Sequence, residues 1–264
     1  MSDEIIGLDA WLETAPGRYL LEWEQHQCDA MVADVFGYHA VQLGLPQLDA
    51  LRANRMPHRW LATEGAAGRV ASVHDGKSAI LAEASALPFQ AASIDLIALP
   101  HTLEFSADPH GALREAERVL VPEGKLVVCG FNPASLWGLR QERARVLRRI
   151  GLGRPYLPLQ GEFIGYWRLR DWLRLLGFEV ESSRFGCYRP ALRGEDWLRR
   201  WAWMDRVGQR WWSIFGAAYA VVAVKRVRGV RLLGASWRGA KARAGAPLPV
   251  GNTWNKEQGG DETG

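Results

Sequence analysis

Cysteine is scarce in this chain, and long apolar runs are missing. Its 264 residues include three cysteines. Cys28, Cys129 and Cys187 form no CxxC pair and no even set, which excludes a disulfide framework and fits a reducing compartment. The six histidines show no metal-ligand spacing, so no zinc site is expected. The longest apolar run, Trp211 to Val224, has 14 residues between Arg210 and Lys225, short of the ~20 a spanning helix needs. Ser2, Asp3 and Glu4 open the chain without a basic n-region or an apolar h-region, and no secretory leader is expected. These absences predict a cytoplasmic protein.

The remaining composition is that of a soluble globular chain, 48% hydrophobic and 23% charged, able to bury a full core. The length fits one domain with extensions, or two small domains. A net charge of +4 conceals an asymmetry. Residues 1–136 carry 9 Lys and Arg against 18 Asp and Glu, whereas residues 137–264 carry 24 against 11. Between Arg206 and Lys256 there are ten basic residues and no acid. Such a run is either a solvated tail or a surface for an anionic partner.

Residues 1–37 read as a helical extension. Leu20, Leu21, Met31, Val32 and Val35 recur at near-helical spacing behind Pro16, and Gly37 ends the run. The period then shortens. Apolar segments at His39–Leu43, Trp60–Ala62, Ser78–Leu81, Ile94–Leu99 and Leu126–Cys129 alternate with candidate helices such as Leu48–Arg55 and His110–Leu120. That alternation predicts βαβ units and a parallel sheet. A basic helix is expected over Leu136–Arg149, another over Leu169–Leu176, and strands over Phe178–Ser183 and Ala217–Val224. The expected organisation is an extension 1–37, a domain 38–226 with a helical insert at about 187–215, and a basic tail 227–264. Eight glycines and no periodicity make that tail a disordered segment by composition.

Residues 86–133, ALPFQAASIDLIALPHTLEFSADPHGALREAERVLVPEGKLVVCGFNP, resemble class I S-adenosylmethionine-dependent methyltransferases of the small-molecule, type 11 kind. The match lies in the order of its parts. Glu83 and the triplet Leu87-Pro88-Phe89 precede a strand that carries Asp95 and ends at His101; a DPHGALREAERVL helix and a further strand follow. LRDWLRLLGFEV, residues 169–180, fits the family's next helix and strand. The resemblance implies a Rossmann-like α/β fold: a seven-stranded, mostly parallel sheet with an antiparallel last strand and helices on both faces. It also implies S-adenosyl-L-methionine as cofactor, bound at the carboxyl ends of the first strands.

Site residues follow from the resemblance position by position. Gly44 matches the first glycine of an acidic-x-Gly-x-Gly-x-Gly turn, a place where backbone must approach the cofactor closely. The rest of that turn departs from the pattern: Gln42 replaces the acid, Pro46 the second glycine and Leu48 the third. Pro46 also lacks an N–H that could face the cofactor carboxylate. Glu64, 20 residues beyond Gly44, matches the acid that holds the ribose hydroxyls, and otherwise is a solvated loop glutamate. Glu83, with the backbone N–H of Ala84, matches the adenine-holding position, and otherwise is a cap. His101 ends its strand beside the cofactor or substrate, or serves the structure alone. Asn132, Ser135 and Trp137 follow the next strand. They line the substrate, with Trp137 stacked on a planar acceptor, or they form a turn whose tryptophan plugs the core.

Five of the 13 tryptophans fall within Trp197–Trp212. On one helix, Trp197, Trp201, Met204, Gly208, Trp211 and Phe215 follow 4-3-4-3-4 spacing, with Arg199, Arg200, Arg206 and Arg210 off the stripe. The stripe either packs on the sheet as core or lies on an anionic membrane. Nucleic acid is not an expected partner, because no aromatic platform among basic residues is recognisable. The function implied is methyl transfer to a small-molecule or lipid-like acceptor, by a protein that is cytoplasmic or peripheral at the membrane. A catalytically inactive methyltransferase fold serving as a binding or scaffold protein is the alternative, and the altered glycine turn favours it.

Overall fold

The structure, a computed structural model, describes residues 7–64, 78–148, 156–157, 161–192 and 194–226. These lie in one compact unit, Met1–Val227. The expectation of disorder after residue 227 falls outside the described residues.

The chain opens with helices α1 (Leu8–Leu12) and α2 (Ala15–Val32). Thr14 caps α2 by accepting from the Gly17 N–H, and Pro16 occupies its first turn, where a missing N–H costs nothing. Leu20, Glu24, Cys28 and Val32 are buried at four-residue intervals, so α2 lays one stripe on the sheet against β5 and β7. The helix stops at Val32 rather than at Gly37. Gly37 serves a different purpose: a side chain there would strike Asp95, whose carboxylate accepts the Tyr38 and His39 N–H groups at 2.9 Å.

Seven strands follow: β1 (His39–Leu43), β2 (His58–Thr63), β3 (Ser78–Leu81), β4 (Ile94–Pro100), β5 (Leu120–Phe131), β6 (Phe178–Gly186) and β7 (Ala218–Lys225). They form one sheet of order β3-β2-β1-β4-β5-β7-β6. β1 to β5 pair in parallel, and β7 runs antiparallel to both β5 and β6. This is the Rossmann-like methyltransferase sheet that the strand–helix alternation and the resemblance imply. Consecutive strand residues go to opposite faces. Leu96, Val127 and Val222 join a core with α2 on one side, and Ile97, Val128 and Val221 join a second core with Leu113 and Leu169 on the other.

Helices α3 (Thr102–Phe105), α4 (Pro109–Val119), α5 (Leu136–Arg148) and α6 (Tyr166–Leu175) connect the later strands. Asp108 caps α4 through the Gly111 N–H at 2.8 Å. Helix α4 then buries Ala112, Leu113, Ala116 and Val119, the helical period read from the sequence.

The expected helix over Leu48–Arg55 is absent, and successive turns replace it. The cause is competition by side chains for backbone carbonyls. The buried Gln42 donates to the Leu45 and Leu48 carbonyls at 3.0 and 2.6 Å and accepts from the Ala50 N–H at 2.9 Å. The following backbone bonds, Arg52 to Asp49 and Asn54 to Leu51, span three residues, the spacing of turns rather than of an α-helix.

The single Trp/Arg helix expected over 195–215 is also corrected. It is two helices, α7 (Glu195–Arg200) and α8 (Trp203–Trp211), followed by a 3-10 turn, Ser213–Phe215. The face that α8 turns inward is set by Gly208, where a Cβ would meet the Tyr188 ring at 2.3 Å. Asp205 fixes the same face, accepting from the Tyr19 hydroxyl, the Tyr188 N–H and Arg189. Most of the tryptophans therefore point outward.

Candidate functional site

A cavity of about 700 Å³ opens at the carboxyl ends of β1, β2, β3 and β4, within the range of small-molecule and cofactor sites. Four residues singled out from the sequence line it: Gly44, Glu64, Ala84 and His101. The parallel register brings them together, since residues far apart in sequence leave adjacent strands at the same edge.

Gly44 directly follows β1 with φ +69, the left-handed region where a side chain is strained. Thr102, which the sequence reading did not single out, closes the floor. Its hydroxyl donates to the Leu43 carbonyl at 2.7 Å, tying the end of β4 to the end of β1. Glu64 follows β2 and accepts the Ala84 N–H at 2.8 Å. Two groups expected at the ribose and at the adenine thus form a single hydrogen-bonded unit at the rim. Glu83 stands apart: its exposed carboxylate accepts from Ser85, and the wall is made by Ala82 and Ala84 on either side of it.

The opposite wall is formed by Gly7, Leu8 and Asp9 at the start of α1, also unforeseen from sequence. Gln47 donates to Asp9 at 2.9 Å and so links the altered glycine turn to this wall. Leu8, Leu45, Pro46 and Phe105 make much of the lining apolar. Leu48, at the place of the third glycine, turns into the core and is 1% exposed, so its side chain leaves the cavity open.

His101 lines the cavity yet is almost wholly enclosed, 1% exposed, and takes a left-handed backbone with φ 55. Its Nε2 meets Glu24 of α2 at 2.7 Å and its Nδ1 meets Glu104 at 2.6 Å. Glu104 also accepts the Phe131 N–H. Burial alone pushes an imidazole down, but the charges of Glu24 and Glu104 outweigh it and raise His101 to about 10. Burial pushes the Glu104 carboxyl up, as two carboxylates share one imidazolium. With both ring nitrogens engaged, His101 has no free lone pair for acid–base work. It positions the wall.

Asn132, Ser135 and Trp137 do not line the cavity, a correction with a clear cause. Asn132 donates to the Ile214 and Gly216 carbonyls at 2.7 and 2.9 Å, and Ser135 donates to the Asn132 carbonyl at 2.7 Å. Trp137 is fully buried, edge-on to Trp11 and Tyr156, with its indole N–H on the Arg189 carbonyl at 2.8 Å. The three residues anchor the segment between β5 and α5. Trp137 is the core plug.

Among the described residues no cluster of His, Cys, Asp and Glu could hold a metal ion. The cavity's residues fit an adenosine-bearing cofactor at the Glu64–Ala84 end. At the turn the fit is weaker, because Pro46 offers no N–H and no helix begins there to present a positive end.

Comparison with known proteins bears on the family and the fold. A family model described as a methyltransferase domain matches residues 49–128. The Escherichia coli K12 protein YafS, itself uncharacterized, is 32% identical over 183 residues, which span 69% of this chain and 70% of YafS. A chain in the complex of the Haloferax volcanii Trm112 methyltransferase activator with a methyltransferase shares the fold at a TM-score of 0.58 and 17% identity, covering 86% of this chain and 99% of that one. An S-adenosylmethionine-dependent methyltransferase from Thermotoga maritima does so at 0.54 and 17%, covering 79% and 92%.

Proposed function

Because the chain belongs to the class I S-adenosylmethionine-dependent methyltransferase family, we propose that it binds S-adenosyl-L-methionine in the β1–β4 cavity and methylates a small-molecule or lipid-like acceptor. The observation that carries this reading is the convergence of Gly44, Glu64, Ala84 and Thr102 on one cavity of about 700 Å³. When bound, the cofactor supplies an electrophilic methyl group on a sulfonium centre. Glu64 accepts from the ribose hydroxyls, and the backbone at Ala84 borders the adenine. Gly44 lets the main chain come close. The start of α1 covers the opposite side and limits access of water.

Methyl transfer needs positioning above all, and a base only for weak nucleophiles. The occupied ring of His101 is compatible with an acceptor that is already nucleophilic. The apolar wall of Leu8, Leu45 and Phe105 favours an uncharged or lipid-like one. Incubation with S-adenosylmethionine carrying a labelled methyl group, followed by extraction with organic solvent, tests the proposal. Label in the extract with release of S-adenosylhomocysteine is expected, and cofactor binding without any transfer contradicts it.

That second outcome corresponds to a scaffold reading, favoured specifically by Pro46 and by the missing helix after β1. The two readings share one prediction about the turn. The cavity is open rather than filled by side chains, so Pro46→Gly restores a backbone N–H in the turn that lines it. The variant is expected to bind S-adenosylhomocysteine more tightly, by about 1 kcal/mol, the worth of one hydrogen bond. Equal affinity of the two proteins in an equilibrium titration would show that the turn does not contact the ligand.

A further inference from the structure

The insert between β6 and β7 turns most of its tryptophans to solvent. Trp211 is 75% exposed. Trp197, Trp203, Trp212, Ile214 and Phe215 are exposed as well. Monomeric proteins rarely leave so many large apolar side chains together without a purpose. Leu136 and Leu139 of α5 extend the patch, for they line one shallow groove of about 350 Å³ with Trp212 and Phe215.

Charge accompanies this apolar surface. On α8, Arg206 and Arg210 stand three and seven residues beyond Trp203 and share its outward side. Both are exposed, and no carboxylate among the described residues pairs with them. Arg200 lies over the Trp197 ring at 5.6 Å. Asp205, the acid of α8, is turned inward and held by Tyr19, Tyr188 and Arg189. Of the ten basic residues in the acid-free run from Arg206 to Lys256, Lys225 and Arg226 are paired within the fold. Arg206 and Arg210 remain for an external anion.

From these observations we propose that α7, α8 and the following turn, with the start of α5, form a docking surface for an anionic lipid bilayer. Tryptophan favours the membrane interface, and an amphipathic helix with Trp on its apolar side and Arg beside it lies in the interfacial plane. No helix among the described residues is long and apolar enough to cross a membrane, so the contact is peripheral. Its place in the fold gives it a use. β6 runs antiparallel to β7, as β5 does, so β6 ends at the same sheet edge as the cavity strands. The insert and the start of α5 both leave from that edge. Docking turns the cavity's edge toward the bilayer, where a lipid-like acceptor resides. The docking surface itself does not depend on the cofactor reading.

Co-sedimentation of the full chain with vesicles tests it, using phosphatidylcholine alone and phosphatidylcholine mixed with phosphatidylglycerol. Binding to the anionic vesicles at low salt is expected, fading at physiological salt as charges are screened. Trp211→Ser with Trp212→Ser is expected to lower partitioning at least tenfold. Arg206→Gln with Arg210→Gln lowers it about fivefold per charge removed. Both pairs are exposed, and unchanged thermal unfolding verifies the fold. The proposal is overturned by no binding at low salt, by equal binding to neutral vesicles, or by binding that both variant pairs leave intact. Self-association that the Trp pair abolishes, without vesicle binding, overturns it in favour of a second copy of the chain.

Discussion

His101→Leu is expected to destabilise the fold by about 3–5 kcal/mol, the cost of removing one partner from a buried charged group. Glu24 is wholly buried and Glu104 is 3% exposed, and each meets one nitrogen of this ring. Without the imidazolium both carboxyls lose their counter-charge, and Glu24 already has one oxygen without a partner. The cluster also joins α2 to the ends of β4 and β5, so its loss loosens the extension together with the cavity wall. The pH dependence has a fixed sign. His101 is raised from 6.5 to about 10, so its contribution is full below 6.5 and lost as pH rises through the folded value. Denaturant unfolding of both proteins at pH 6 and pH 9.5 checks this. The gap between them should narrow at the higher pH. A penalty below about 1 kcal/mol, or one indifferent to pH, would mean that the ring is held neutral.

Glu64→Ala is expected to weaken S-adenosylhomocysteine binding by about 1.5–3 kcal/mol, roughly 10- to 150-fold, the range for hydrogen bonds to a charged group. Two effects add. The carboxylate that would accept from the ribose is gone, and the buried Ala84 N–H loses the partner it has at 2.8 Å. Glu83→Ala is the control, since its carboxylate is exposed and bonded to Ser85. A surface change of that kind stays within about 0.5 kcal/mol. A loss in Glu83→Ala with none in Glu64→Ala would place the adenine at Glu83 and not along the Glu64–Ala84 pair.

Much of the sheet was legible because strand segments rich in Val, Ile, Leu and Ala alternate with helices whose buried residues recur every three or four positions. Gly44, Glu64, Ala84 and His101, which gather at the carboxyl edge, followed from the family resemblance position by position. Three features were hidden for physical reasons. A glutamine in place of an acid gives no hint that its amide holds the Leu45 and Leu48 carbonyls and dissolves the helix expected over Leu48–Arg55. Helical spacing of the tryptophans cannot reveal which side faces in; that is decided by Gly208 against Tyr188 and by Asp205, contacts made across the fold. Glu24 and His101 are 77 positions apart, and no local pattern links them. Leu8, Asp9 and Thr102 likewise reach the cavity only through tertiary placement.

A cavity that holds the cofactor despite Gln42, Pro46 and Leu48 must bind its demethylated product as well. Calorimetric titration of the full chain with S-adenosylhomocysteine tests it most directly. Saturable binding of one molecule per chain is expected, with a rise in the unfolding temperature that grows with ligand concentration, and a weakening of both in Glu64→Ala. No heat and no thermal shift at millimolar ligand, in protein that unfolds cooperatively, would contradict it.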